Sequence, residues 1–150
     1  MKRDPRRATR DDLSAIESIV GDAYSKYLTR IRLKPEPFRA DYGVLIDRGC
    51  LYVAERDGIV RGILVLIPQA DAMLLDNVAV APVAQGTGLG RSLLEFAERA
   101  ALAAGYRSIR LYTNEAMIEN LALYSRIGYA ETHRVEEKGL RRVYMVKALA

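Results

Sequence analysis

The strongest constraint on the fold is an abrupt change of hydrophobic period at Pro82. Before it, residues 72–80 carry the apolar run of a strand. After it, apolar residues recur at helical spacing from Leu89 to Ala104, and Gly105 ends that pattern. A further strand is predicted at residues 108–113. A strand, a helix and a second strand in this order predict a right-handed parallel crossover.

The rest of the chain adds elements on both sides of this unit. Thr9 and Asp12 resemble a helix-capping box, and Asp57-Gly58 lies between two apolar runs as in a β-hairpin. The predicted order is β-α-α-β-β-β-α-β-α-β-β. Strands are predicted at 6–8, 50–55, 59–67, 72–80, 108–113, 129–135 and 142–146, and helices over Leu13 to Tyr27, Phe38 to Ile46, Leu89 to Ala104 and Met117 to Ile127. This predicts one domain over residues 1–150, a mixed sheet with helices on both faces.

Composition excludes several classes of protein and site. A single cysteine allows no internal disulfide, and a single histidine without cysteine partners makes a metal site improbable, so no metal is expected. The longest apolar run, Ile63 to Ile67, is too short to span a membrane. The charged start indicates no secretory signal, so we expect a cytoplasmic protein. The net charge of +4 is mild: it suits a small anionic ligand and could also suit nucleic acid. The Arg-rich start lacks interleaved aromatic residues, so nucleic acid is not an expected partner, and neither is a membrane.

The loop that joins the strand at 72–80 to the next helix carries the clearest functional signal. It reads Gln85-Gly86-Thr87-Gly88-Leu89-Gly90, followed by Arg91. Glycines let a backbone approach a ligand closely, and a helix N-terminus presents free N–H groups to phosphate. Tight packing of the strand on the helix is the structural alternative. The sequence departs from the P-loop and from the dinucleotide fingerprint, so neither nucleotide motif is met.

At this point the sequence resembles the GNAT superfamily of N-acetyltransferases. The family motif Gln/Arg-x-x-Gly-x-Gly/Ala is met by Gln85, Gly88 and Gly90, after a strand with Val-Ala-Val and Pro82. A second motif, Asn-x-x-x-Tyr followed by Gly-aromatic, is met by Asn120, Tyr124, Gly128 and Tyr129. The resemblance implies a mixed, mostly antiparallel α/β (α+β) sheet of six to seven strands and about four helices. Splayed central strands would form a coenzyme A cleft.

The resemblance also implies roles for individual residues, with acetyl-CoA as donor and co-substrate. Backbone groups of the splayed strand would bind the pantetheine arm, and the glycine loop would bind the pyrophosphate. Asn120 would bond the pantetheine arm, and Tyr124 would lie near the thioester sulfur as a general acid. The implied donor-binding residues are Val78, Ala79, Val80, Gln85, Gly86, Thr87, Gly88, Leu89, Gly90, Arg91 and Asn120.

The general base is less clearly encoded. Some family members place Glu at the position of Leu74, and Asp76, which lies on the same strand face by alternation, is the candidate here. Glu115, Glu119 and His133 are further candidates. A covalent acyl-enzyme is not expected, because Cys50 lies outside both motifs and is expected in the core. The alternative role of Asp76 is structural, and that of His133 is an exposed strand residue.

The sequence says least about the acceptor substrate. The family shapes its acceptor cleft with the segments that correspond here to residues 27–37 and 134–142. Their basic residues disfavour a polycationic acceptor and permit one that bears a carboxylate or phosphate. The expected function is acetyl transfer to a primary amine of a small molecule or peptide. The alternative is a non-catalytic acyl-CoA sensor. A homodimer is a further expectation, because Arg142 to Val146 alternates at an expected sheet edge.

Overall fold

A seven-stranded mixed sheet organises the protein in a computed structural model, which describes residues 4–25, 41–137 and 139–149 but not the side chain of Tyr24. The strands are β1 Arg6–Arg7, β2 Leu51–Arg56, β3 Ile59–Pro68, β4 Met73–Val80, β5 Ser108–Asn114, β6 Ala130–Glu137 and β7 Leu140–Ala148. The α-helices of the described residues are α1 Leu13–Ser25, α2 Tyr42–Asp47, α3 Leu89–Ala103 and α4 Ile118–Arg126. The predicted order of elements is confirmed.

The spatial order of the strands is β1-β2-β3-β4-β5-β7-β6. Neighbouring strands are antiparallel except β4 and β5, which are parallel and are joined through α3. The β2–β3 hairpin closes at Asp57 and Gly58, with φ angles of 55° and 78°. A tight type I′ turn requires two consecutive positive φ angles, so the β-hairpin predicted at Asp57-Gly58 is confirmed.

The sheet separates two apolar cores. Ile63 and Val65 of β3 belong to the core beneath α1 and α2, which we call the α1-side core. Leu64 and Leu66 belong to the core beneath α3 and α4, the α3-side core. These four side chains are at most 3% exposed, because β3 is covered on both faces. An uninterrupted apolar run is therefore what this strand needs.

One extra residue in β4 interrupts this regular alternation. Val65 pairs with Asn77 and Leu66 pairs with Leu75, so Asp76 is the additional residue of a β-bulge. Leu75 packs in the α3-side core, whereas Ala79 packs in the α1-side core. The bulge therefore exchanges the faces to which the two halves of β4 point.

Two expectations are wrong. The segment from Arg142 to Val146 is not at a sheet edge, because β7 lies between β5 and β6. Val143 and Met145 alternate because they are buried in the α3-side core, at 0% and 3% exposure. The exposed edge strand at this end is the polar β6. Cys50 is half-buried rather than in a core, because it precedes β2 at the end of the turn after α2.

Several sequence predictions fall on residues that the structure does not describe. They include the end of the first helix near Tyr27, the start of the second near Phe38, and the acceptor segment 27–37. Lys138 in the final hairpin also lies outside the described residues, whereas its neighbour Gly139 has a φ angle of 79°. These predictions stand untested.

Candidate active site

The central opening of the sheet lies between β4 and β5. The two strands pair only at Met73 with Ile109 and at Leu74 with Arg110. Beyond that point β4 continues to pair with β3 as far as Val80 with Gly62, while β5 continues with β7. The two strands therefore diverge in a V, and β4 is not paired with β5 beyond Leu74. The family resemblance implied such splayed strands.

The glycine loop closes one side of this V. Gly86 and Gly88 have φ angles of 79° and 88°, a left-handed conformation that favours glycine. Gln85 Nε2 donates to the Val80 carbonyl at 3.2 Å, and Thr87 Oγ1 donates to the Ala84 carbonyl. These bonds fold the loop back onto the end of β4.

The N-terminus of α3 follows directly from this loop. Its first backbone bond runs from Ser92 N–H to the Gly88 carbonyl at 3.0 Å, so the N–H groups of Leu89, Gly90 and Arg91 have no intrahelical acceptor. A Cβ on Gly90 would lie 3.7 Å from Val80 Cγ2, which shows how closely the helix start packs on β4. Free N–H groups and the positive end of a helix dipole are the features by which helix N-termini bind anions.

Helix α4 supplies the side chains on the far wall. Asn120 and Tyr124 are one turn apart and both face the V. Tyr124 is 7% exposed, and its ring meets Tyr129 edge to face with centroids 5.7 Å apart. Tyr129 N–H also donates to the Tyr124 carbonyl at 3.0 Å. Tyr129, the aromatic residue of the second motif, thus contacts the last turn of α4 through both its ring and its backbone N–H.

Gly128 allows this helix to end close to the sheet. Its φ angle is 108°, and a Cβ there would lie 3.1 Å from Lys147 Cε. Lys147 Nζ donates to the Ile127 carbonyl at 2.7 Å and to the Glu98 carboxylate at 2.9 Å. A cation at a helix C-terminus complements both its free carbonyls and its dipole. These contacts fix the orientation of Tyr124 through its helix.

These elements enclose a cleft of about 240 Å³. The structure brings together eight of the predicted site residues along its walls, namely Val78, Ala79, Val80, Gln85, Gly86, Gly90, Asn120 and Tyr124. Thr87, Gly88 and Arg91 lie on the adjoining loop and first helical turn but not on the cleft wall. Leu89 is 1% exposed in the α3-side core, so only its backbone is available to a ligand.

Asp76 lies apart from these walls, at the bulge two residues beyond the last β4–β5 pair. Its carboxylate acts electrostatically on Tyr42, on the α1-side face of the sheet. Burial is the main cause that raises the pKa of Tyr42 above its usual range, and the charges of Asp76 and Glu17 add to it. Asp76 is therefore at the apex of the V, on the opposite face from Tyr124.

The other predicted bases are not brought to the cleft. Glu115 is engaged by two arginines, Arg141 at 3.2 Å and Arg134 at 3.6 Å. Glu119 is exposed in the first turn of α4. His133 is exposed on β6, where its ring stacks on Tyr144 at 4.4 Å, in agreement with the exposed-strand alternative.

The sequence patterns did not identify every residue of the cleft wall, nor the contact between Tyr42 and Asn77 next to Asp76. Leu94 lies four residues after Gly90, and Leu123 three residues after Asn120, so helical spacing from the motif residues could have identified both. Ala23 reaches the cleft from α1, and no local pattern indicates that. Tyr42 and Asn77 meet across 35 residues of sequence, which local patterns do not reveal either.

Among the residues that the structure describes, no group of three or more His, Cys, Asp or Glu side chains is placed to hold a metal ion. None of the helices in the described ranges combines the length and apolar character that crossing a bilayer requires.

Several solved structures with a similar fold are acetyltransferases. The PaiA N-acetyltransferase of Thermoplasma acidophilum, solved in complex with coenzyme A, is 18% identical over 99% of both chains, with a TM-score of 0.82. The ribosomal-protein-S18-alanine N-acetyltransferase of Escherichia coli is 19% identical over 100% of this chain and 95% of its own, with a TM-score of 0.74. The IAA acetyltransferase of Bacillus cereus is 27% identical over 72% and 83%, with a TM-score of 0.62.

The family comparison agrees with the architecture. Residues 47–131, more than half of the chain, match the model of the acetyltransferase (GNAT) domain. The matched range runs from the end of α2 into β6 and includes the diverging strands, the glycine loop and the Asn120–Tyr124 wall. This chain belongs to the GNAT acetyltransferase family.

Proposed function

We propose that the protein transfers an acetyl group from acetyl-CoA to a primary amine of a small molecule or peptide. The observation that carries the proposal is the meeting of three features at one cleft: an anion-binding helix start, an open strand edge and a buried tyrosine. A binding protein needs only the first two. The tyrosine favours catalysis, because a hydroxyl beside a departing thiolate can supply its proton.

The residues present fit coenzyme A as co-substrate. The backbone N–H groups from Gly86 to Arg91 would hold the pyrophosphate, and the exposed Arg91 adds a positive charge beside them. The open edge of β4 from Val78 to Val80 would bond the amide-bearing pantetheine arm as an added strand, with Asn120 on the opposite wall.

The chemistry we propose is direct attack of the neutral amine on the thioester carbonyl in a ternary complex. The new C–N bond forms as the C–S bond breaks, Tyr124 donates its proton to the departing sulfur, and the proton that the acylated nitrogen loses restores the Tyr124 hydroxyl by way of solvent. A tyrosine hydroxyl ordinarily has a pKa of about 10, close to that of an alkyl thiol, so this transfer needs little driving force. A main-chain N–H of β4 would meet the negative charge that develops on the carbonyl oxygen.

The acceptor amine must lose a proton before it attacks, because an alkyl ammonium has an ordinary pKa of about 10. We assign this step to Asp76, directly or through a water. The bulge supports the assignment, since an extra residue redirects a side chain at the point where the strands separate. Asp76 and Tyr124 then approach the reacting atoms from opposite faces of the sheet, so the two protons move along separate routes.

The remaining expectations belong to the same proposal. The acceptor is an amine, the protein acts in the cytoplasm, and neither nucleic acid nor a membrane is a partner. The homodimer stays a prediction, but its edge is now β6, whose charged side chains are typical of an edge protected from indiscriminate pairing.

A panel of amines tests the proposal. Acetyl-CoA is mixed with the protein and each amine, free thiol is followed by its colour reaction, and the acetylated amine is identified by mass. We expect thiol release that depends on the amine and matches the product in amount. Calorimetry with acetyl-CoA runs in parallel. Tight binding without turnover on any amine would instead favour the acyl-CoA sensor, and absence of binding would overturn both functions.

A further inference from the structure

Three aromatic side chains form a row across one face of the sheet. Tyr144 of β7 pairs with Tyr112 of β5 on one side and with His133 of β6 on the other. Residues directly opposite one another on neighbouring strands share a face. Leu111 and Val143, their neighbours along the chain, are buried in the α3-side core, so alternation places the three rings on the α1-side face. We call these three side chains the aromatic row.

The rings of the aromatic row lie against one another. The His133 ring is stacked on the Tyr144 ring, with centroids 4.4 Å apart and an interplanar angle of 6°. The rings of Tyr112 and Tyr144 are tilted by 41°, with centroids 5.5 Å apart. His133 is exposed, and the two tyrosines are half-buried. The aromatic row therefore presents part of its ring surface to solvent.

Polar contacts hold the tyrosines of the aromatic row in place. The Tyr144 hydroxyl donates to Oε1 of Glu137, and Arg142 Nη1 donates to Oε2 of the same carboxylate at 3.3 Å. Arg142 is 7% exposed, and its Cζ lies 4.5 Å from the centroid of the Tyr112 ring. The rings are thus fixed at both tyrosines by the protein itself. A surface that is ordered in advance loses less conformational freedom when a ligand binds.

The aromatic row begins beside the apex of the V. The last pair between β4 and β5 is Leu74 with Arg110. Tyr112 lies two residues beyond this pair on β5, as Asp76 does on β4. From β5 the row extends over two further strands, each about 5 Å from the one before. A group stacked on the outer rings would therefore lie about 5–10 Å from the apex.

We propose that the aromatic row binds the acceptor through a planar aromatic ring, so that the acceptor is a primary amine joined to that ring by a short linker. The inference rests on the proposed function and specifies the class of amine. Aromatic rings stack on one another, and their faces also attract the ammonium group before it loses its proton. The distance between the outer rings and the apex requires the short linker, because the amine must reach Asp76.

A comparison of two amines tests the proposal. The linker is the same in 2-phenylethylamine and 2-cyclohexylethylamine, and their shapes are similar, but only the first has an aromatic ring. We expect kcat/KM to be about fivefold or more higher for the phenyl compound, mainly through a lower KM. Tyr144→Leu and His133→Leu should each reduce this difference. Equal values for the two amines in the parent protein would overturn the inference.

Matched variants separate stacking from other effects of the substitutions. His133→Phe keeps a ring at its position and should keep the preference that His133→Leu reduces. Tyr144→Phe keeps its ring but loses the hydrogen bond to Glu137, and it should also keep the preference. Glu136→Ala, on the opposite face of β6 by alternation, should behave as the parent does. If Tyr144→Leu does not fold, the exposed His133 still provides the test. A preference that survives every folded leucine variant would overturn the inference.

A binding measurement distinguishes failure of this inference from failure of the proposed function. His133 is the only histidine of the chain, so the histidine signals of a proton NMR spectrum belong to its ring. The phenyl compound should shift these signals on binding, whereas the cyclohexyl compound should shift them little. Shifts without acetylation of either amine would overturn the proposed function and leave the row as a binding site for aromatic rings. Acetylation of both amines without shifts or preference would overturn the inference and leave the proposed function in place.

Discussion

The glycine loop and the final hairpin lie on either side of the same V but are built differently. The loop offers main-chain groups, and it is held by left-handed glycines and by side-chain bonds from Gln85 and Thr87. The β6–β7 hairpin instead carries side-chain networks, in which Arg142 bonds Glu137 at 3.3 Å and lies 4.5 Å over the Tyr112 ring. Backbone groups are present whatever the side chains are, whereas a side-chain network changes with single substitutions. Under the proposed function, the loop would bind the donor and the hairpin would help to select the acceptor.

The largest effect should follow from the loss of one hydroxyl on the donor side. Tyr124→Phe keeps the ring that packs on Tyr129, so donor affinity should be retained. Loss of a general acid should lower the single-turnover rate by about 10²–10⁴-fold. A thioester with a more acidic leaving thiol should restore part of that rate. An unchanged rate with no dependence on the thiol would leave departure of the thiolate to water.

A smaller effect should follow where α4 meets the sheet. Gly128→Ala adds a Cβ at a positive φ angle, beside Lys147, and should destabilise the fold by about 2 kcal/mol. Gly58→Ala is the control, because that glycine also has a positive φ angle but no heavy atom lies near its Cβ position. Chemical unfolding of both variants separates backbone strain from the contact with Lys147. Equal losses would mean that Lys147 gives way and does not fix the end of α4.

The smallest effect concerns ion pairs, which are numerous on the hairpin. Arg6 lies beside the buried carboxyl of Asp12 and holds its pKa below the usual value of 3.8. Arg134 likewise lowers the pKa of the exposed Glu131. A carboxyl whose pKa is lower in the folded state than in the unfolded state stabilises the fold at pH values above its unfolded pKa. That stabilisation is lost as the pH falls through the folded pKa. Asp12→Asn should therefore lower the free energy of unfolding at pH 7, and the difference should vanish only as the pH falls through the folded pKa of Asp12, which lies below 3.8. Glu131→Gln should change it little at either pH, because exposed pairs contribute little.

The sequence could predict features that depend on neighbouring residues but not those that depend on contacts between distant segments. The order of elements and the parallel crossover came from local patterns, because turns and hydrophobic periods are local properties. Eight cleft residues came from the resemblance of two short motifs to a known family. The position of β7 inside the sheet could not be read from Val143 and Met145, since an alternating strand looks the same at an edge and in the middle. The bulge at Asp76 depends on pairing with β3, and the Tyr42–Asn77 bond depends on packing between distant segments.

The central claim is that the loop from Gln85 to Arg91 is the binding site for the donor pyrophosphate. It is tested most directly by titrating coenzyme A into Gly88→Asp and Gly105→Asp in a calorimeter. Both glycines have positive φ angles, 88° and 93°, at opposite ends of α3, so both variants carry similar strain and the same added charge. We predict that Gly88→Asp weakens binding by about 100-fold or more, because a negative charge enters the anion site, while Gly105→Asp binds as the parent does. Equal affinity of the folded Gly88→Asp protein and the parent would contradict the account.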